Sequence, residues 1–123
     1  MAVMQSRDNR TFIAGEDLSA AQFKFVTLEA DGQVDLADAA GENAIGVCLA
    51  GAAAGAAVTV CVSGSVMVEA GGAITAGDQI QTGADGTALL AATGDVVLGY
   101  AREDGVDGQI IEIEMIQGGN LAA

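Results

Sequence analysis

Ala14-Gly15-Glu16-Asp17-Leu18-Ser19-Ala20 returns in outline as Ala70-Gly71-Gly72-Ala73-Ile74-Thr75-Ala76, and the correspondence continues down the chain. Asp31-Gly32 returns as Asp85-Gly86, and Ile45-Gly46-Val47 as Leu98-Gly99-Tyr100. Gly55 leading Val58-Thr59-Val60 returns as Gly108 leading Ile110-Ile111-Glu112. The offset drifts only from 56 to 53 residues. Short β-branched runs separated by Gly or Asp-Gly turns read as strands, and a duplicated unit of this length describes one β-rich body with pseudo-two-fold internal symmetry. The half-repeats span about 13–64 and 70–118, within a β domain over 11–123.

Reading outward from the repeat, Phe12-Ile13 and Phe23-Lys24-Phe25-Val26-Thr27-Leu28 are strand-like, the second placing Lys24 and Val26 on one face and Phe23, Phe25 and Thr27 on the other. Val34 and Leu36 alternate after the Asp31-Gly32 turn, while 37–43 fits either a helical turn or a loop. Residues 44–49 and 57–62 are hairpin arms about the Ala- and Gly-rich 51–55 turn, and 65–69 is a further short strand. Near the end, Ile110, Ile111, Ile113, Met115 and Ile116 interleave with Glu112 and Glu114, which predicts one buried and one acidic face. Ile110, Ile113 and Met115 are the expected core or subunit-interface residues.

Residues 1–10 lack any period and mix Gln, Ser, Arg, Asp and Asn, so they read as an extended arm that orders against a partner. Arg7 and Arg10 lie in this segment, whereas the body carries nearly all of the 17 carboxylates behind a net charge of −13. Such an acid excess argues against contact with nucleic acid or an anionic membrane. No run approaches the length of a membrane-spanning helix, and 1–10 lacks the apolar core of a signal peptide, so a cytoplasmic protein or a particle assembled there is expected.

About a fifth of the 123 residues are Ala, 18 are Gly and only Phe12, Phe23, Phe25 and Tyr100 are aromatic. Ala buries little area and Gly costs backbone entropy, so an isolated monomer has little core to spare and gains from association with copies of itself. Cys48 and Cys61 each have the opposite strand parity to their aliphatic neighbours and are expected on one face of the 44–62 hairpin. There they form either two packing thiols or a cross-strand disulfide.

Chemistry-bearing patterns are sparse. There is no His, which removes Ser/His and Cys/His nucleophilic pairs, and no Gly-rich loop carries a phosphate-holding Lys. Glu16-Asp17, Glu103-Asp104 and Glu112/Glu114 lack the ligand spacing of a calcium loop and read as solvated faces. No enzyme activity, cofactor or metal is expected. Biotinyl and lipoyl carrier domains also fold two similar halves around a modified lysine, and Lys24, the sole lysine, sits in Phe23-Lys24-Phe25, which is faintly similar to the Met-Lys-Met of the biotinyl type, yet it lies within a strand-like run where those carriers use a hairpin tip.

Taken in order, Gly46-Val47-Cys48, the Ala-Gly turn, Val58-Thr59-Val60 with Gly64 beyond, Ala76-Gly77-Asp78-Gln79-Ile80, Asp85-Gly86, Leu98-Gly99-Tyr100-Ala101 and the closing hydrophobic strand resemble the small bacteriophage capsid decoration, or cement, proteins. The resemblance runs from about Ile13 to Gly118. It implies an all-β, small β-barrel or β-tulip-like domain, forming homotrimers on the outer surface of an icosahedral phage head. The implied partners are the major capsid protein and the chain itself, at three-fold and quasi-three-fold positions of the expanded shell, with assembly in the host cytoplasm. Arg7 and Arg10 are then the expected capsid contacts of the arm. A trimeric head-fibre or tail adaptor, or a carrier domain using Lys24, are the alternative readings.

Overall fold

Alternating β-branched residues between glycine turns give nine strands and, among the described residues 5–116 of this computed structural model, no helix. The strands are β1 (Gln5–Ile13), β2 (Phe25–Leu28), β3 (Val34–Leu36), β4 (Gly46–Cys48), β5 (Ala57–Glu69), β6 (Gln79–Thr82), β7 (Ala88–Leu90), β8 (Gly99–Ala101) and β9 (Ile110–Met115). They form one curled antiparallel sheet in the order β3-β2-β4-β5-β9-β8-β6-β7, with β1 also on β5. Residues 37–43 are a loop.

The sheet order is itself a palindrome of the repeat. β2 and β3 correspond to β6 and β7, β4 to β8, and the first half of β5 to β9. The hydrogen bonds repeat with them: Gly15 N–H donates to Val34 O as Gly71 N–H does to Ala88 O (both 2.8 Å). Gly55 N–H likewise donates to Ala14 O as Gly108 N–H does to Ala70 O (both 2.8 Å). Parallel bridges Ala14–Val34 and Ala70–Ala88 draw each half into a small barrel-like lobe.

The repeat begins earlier than its sequence signature. Ile13 pairs with Ala57 and Arg10 with Val60, just as Glu69 pairs with Ile110 and Val66 with Ile113. β1 is therefore the counterpart of the second half of β5, and β5 serves both lobes. This corrects the expected boundary of the arm: from Gln5 onward the segment is a sheet strand ordered against its own chain, its register broken by irregularities around Arg7. Residues 1–4 lie outside the described part. It also joins 57–62 and 65–69 into one strand, with Gly64 at φ +98° between the halves.

Gly46 and Gly99 occupy matching places because the neighbouring strand comes too close for a side chain. A Cβ at Gly46 would lie 2.2 Å from the Cys61 carbonyl oxygen, and one at Gly99 would lie 2.2 Å from that of Glu114. The correspondence fails at one turn. Gly77 has φ +91°, whereas its counterpart Phe23 holds φ +64°, a conformation that a bulky side chain adopts only against strain. The two make matching bonds, Phe23 N–H to Cys48 O (2.7 Å) and Gly77 N–H to Ala101 O (2.8 Å), so the turn geometry is kept despite the substitution. Phe23 consequently leaves the expected strand, which starts at Phe25.

Two apolar clusters fill the lobes. The first contains Leu18, Val26, Val34, Cys48, Val58, Val60 and Val62. The second joins Val66, Val68, Ile80, Leu98, Ile111, Ile113 and Met115 to Phe25, Val47 and Cys61 from the other lobe. Because Cys48 pairs with Val60 and Val47 with Cys61, the cysteines point to opposite faces. That one-residue offset corrects their expected shared face; both are buried free thiols. Ile113 (0% exposed) and Met115 (2%) are core residues of the chain, while Ile110 is half-buried. The acidic face of β9 is also corrected: Glu112 is buried and only Glu114 faces outward.

Candidate functional site

Glu112 shows how the fold handles an interior carboxylate. Its Oε2 accepts from the Ser65 hydroxyl across the β5–β9 pair and from Arg102 Nη1 at 3.2 Å. Arg102 also reaches Glu114 Oε1 at 3.6 Å, and Glu103 Oε2 accepts the Glu112 N–H at 3.2 Å. One guanidinium thus binds two acids of β9 and holds the half-buried edge of the second lobe together. These contacts tie together β5, β9 and the segment after β8.

A cleft of about 480 Å³ opens beside β2 and β3, where Glu16, Glu29, Asp35, Asp38 and Glu42 converge. Backbone bonds fix several of these acids: Leu36 N–H donates to Glu16 Oε2 at 2.8 Å and Asp38 N–H to Glu42 Oε1 at 2.9 Å. Burial, then repulsion from Glu16, Glu29, Asp31 and Asp38, pushes the Asp35 carboxyl above its ordinary range. Among the described residues no three potential ligands are grouped to hold a metal ion. The cleft is a patch of negative potential on the first lobe.

Asp8, Arg10, Phe12, Ile45 and Val62 border a shallower groove of about 370 Å³. Arg10 Nη2 lies 3.2 Å from Asp8 Oδ2, with 65% of the Arg10 side chain exposed. Its Nε donates to the same oxygen at 3.3 Å, so the guanidinium stands on the outer side of β1, largely exposed and paired within its own strand. The side chain of Arg7 lies outside the described part. Lys24, in contrast, sits just before β2 against the Gly86 turn, and its backbone N–H and carbonyl are held by Ala21 and Cys48. It does not crown a hairpin as a carrier lysine does.

The cysteines offer no reactive centre. Burial is the leading cause that raises both thiol pKa values, with Cys48 Sγ donating to Ala50 O and Cys61 Sγ to Ser63 O. The surface also presents apolar area: Ile13, Leu28 at the rim of the acidic cleft, Leu90, Tyr100 and Val106 are each at least 39% exposed. Sequence periodicity missed these positions because Leu28, Leu90 and Tyr100 occupy ordinary strand registers. Only their neighbours in space distinguish them from core residues.

Comparison with known proteins agrees with a contact-making body. The family model for phage cement proteins matches residues 4–114, and the chain belongs to that family. The crystal structure of the N base of the head fiber gp8.5 in bacteriophage phi29 superposes with a TM-score of 0.72 at 24% identity, covering 89% of this chain and 93% of that one. That likeness speaks to the fold. No curated protein matches the sequence.

Proposed function

We propose that this phage head structural protein is a non-enzymatic decoration protein that binds the major capsid protein on the outer surface of an icosahedral head, as homotrimers at three-fold and quasi-three-fold positions, and stabilises the expanded shell. The observation that carries the reading is the family match across residues 4–114, nearly the whole folded body. Its physical support is a surface with an acidic cleft, the exposed Arg10 guanidinium and scattered large apolar side chains, which suits broad contact. Many weak attachments across a shell add through multivalency. Assembly in the host cytoplasm fits two buried, unpaired thiols.

Arg10, together with Arg7, is the proposed capsid contact, since guanidinium groups pair bidentately with carboxylates. Co-sedimentation with expanded heads tests the reading: the wild type pellets with heads and raises the temperature at which they release DNA, and the Arg7→Ala, Arg10→Ala variant pellets less. Failure of the folded wild type to bind heads overturns it. Truncating the arm is not a clean test, because residues from Gln5 belong to the sheet. A head-fibre base is the second reading, favoured by the likeness to the phi29 structure. Electron microscopy of decorated heads distinguishes them, since a fibre base carries a long protrusion and a cement trimer a low one.

A further inference from the structure

The two lobes share a fold and yet do not meet symmetrically. Within the chain, the 83–87 turn of the second lobe lies on the outer face of the first: Phe25 N–H donates to Gly86 O at 2.8 Å, and a Cβ at Gly86 would lie 2.7 Å from Leu36 Cδ1. Phe25 and Val47, on that outer face, are 0% exposed. Both halves of this contact have counterparts, and both counterparts are bare. The 29–33 turn matches the 83–87 turn but is open to solvent, with nothing within 4 Å of a Cβ at Gly32. Gln79, Leu90 and Tyr100 match Phe25, Leu36 and Val47, and all three are exposed.

Among the described residues, three of the five exposed large apolar side chains fall on or beside these two surfaces. Leu28 (51% exposed) adjoins the free turn, whereas its counterpart Thr82 is 0% exposed under the loop whose Gly41 N–H it accepts. Tyr100 (39%) lies on the free face beside Gln79, and Leu90 (54%), which pairs with buried Ile80 and so belongs to the other side of the sheet, borders that face as Leu36 borders the 83–87 turn. One chain therefore carries an unused turn at one end and an unused seat for that turn at the other.

We propose that the occupant is a second copy of this chain: the 29–33 turn of one copy sits on the outer face of β6, β7 and β8 of the next, repeating between chains the contact made inside each. This rests on the self-association in the proposed function and gives it a location. The contact is head to tail, so successive copies close into a ring when the rotation permits, and a trimer arranges six similar lobes around one axis. Charge opposes it at one point. Inside the chain Asp85 faces Lys24, whereas between chains Asp31 meets Asp78, the counterpart of Lys24. Self-association accordingly strengthens as salt screens the like charges.

Sedimentation of the head-free protein from micromolar to millimolar concentration, at low and high salt, tests the surface. Leu90→Asp and Tyr100→Asp are expected to weaken association by about tenfold or more, Val106→Asp to leave it unchanged, and Asp78→Lys to tighten it about two- to fivefold at low salt. Circular dichroism melts confirm that each variant folds. A wild type that stays monomeric throughout, Leu90→Asp and Tyr100→Asp variants that associate like wild type, or a Val106→Asp variant that loses association equally would each overturn the inference. Co-sedimentation of the same proteins with heads reports separately on capsid binding.

Discussion

Adding a single methyl group at Gly99 should cost about as much as removing several from a buried core side chain. An alanine Cβ there would stand 2.2 Å from the Glu114 carbonyl oxygen, 3.0 Å from its carbon and 3.3 Å from Met115 Cα, all of them backbone. Ordinary contact would need about 1 Å more, and backbone cannot swing aside as a side chain can, so β8 must lift from β9. The pairs at stake are Gly99–Met115, Tyr100–Glu114 and Ala101–Ile113. Overpacking of this kind costs about 1–3 kcal/mol, and weakening one or two ladder bonds adds about 1 kcal/mol each. Gly99→Ala should therefore lose about 2–5 kcal/mol from a total of about 6–18 kcal/mol for a chain of this length. Gly46→Ala should match it, because its Cβ meets the Cys61 carbonyl at the same 2.2 Å. Gly55→Ala and Gly108→Ala are the controls: both sites have positive φ and open space, so only about 1–2 kcal/mol of backbone strain is added. Urea unfolding followed by circular dichroism measures all four. If Gly46→Ala and Gly99→Ala lose no more than the two controls, the close-approach argument fails.

Ile113→Ala should cost about 2–5 kcal/mol in the same assay and Ile110→Ala distinctly less, because only the first side chain is fully buried; equal losses would contradict the assigned faces of β9. Both thiols should resist alkylation at neutral pH until the protein unfolds, since burial raises their pKa values, and rapid labelling of the native protein would contradict their placement. Asp35 has a folded pKa above its unfolded value of 3.8, so its protonated form favours the fold and its contribution is lost as pH rises through the folded pKa. Asp35→Asn should consequently stabilise the protein at pH 7 and have little effect near pH 3; destabilisation at pH 7 would refute this. Asp85 has the opposite sign, its carboxyl held low chiefly by the Thr87 hydroxyl, so Asp85→Asn should destabilise at pH 7 and lose that effect as pH falls through the folded pKa.

The duplicated turns made the all-β body and most strands legible, because Asp-Gly and Gly signals mark positions where the backbone must turn at positive φ. Gly32, Gly55, Gly77, Gly86 and Gly108 all do so. β1 was obscured by chemistry, since its polar residues 5–10 carry no period even though Arg10–Ile13 stands opposite β5 as Val66–Glu69 stands opposite β9. Extending the repeat toward the amino terminus would have found it. Parity placed each cysteine correctly relative to its neighbours, but the two strands' relative register put them on opposite faces, and register is a property of pairing. The burial of Glu112 was equally hidden, since it depends on Ser65 and Arg102 converging from elsewhere in the sequence. The family resemblance followed from the order of the turns, whereas the proposed contact surfaces required the asymmetry between lobes.

The strand common to both lobes has a mechanical consequence. β5 is thirteen residues long, about 43 Å at the rise of an extended strand, and it is laced to β1 and β4 along one half and to β9 along the other. Tension applied between the lobes along this strand meets its one bend, Gly64, already paired on both sides to Ser6 and Met115. It loads the flanking ladders in shear, where many backbone hydrogen bonds resist together before any one of them parts. The molecule behaves as a stiff strut, able to pass force from one contact to another without lengthening.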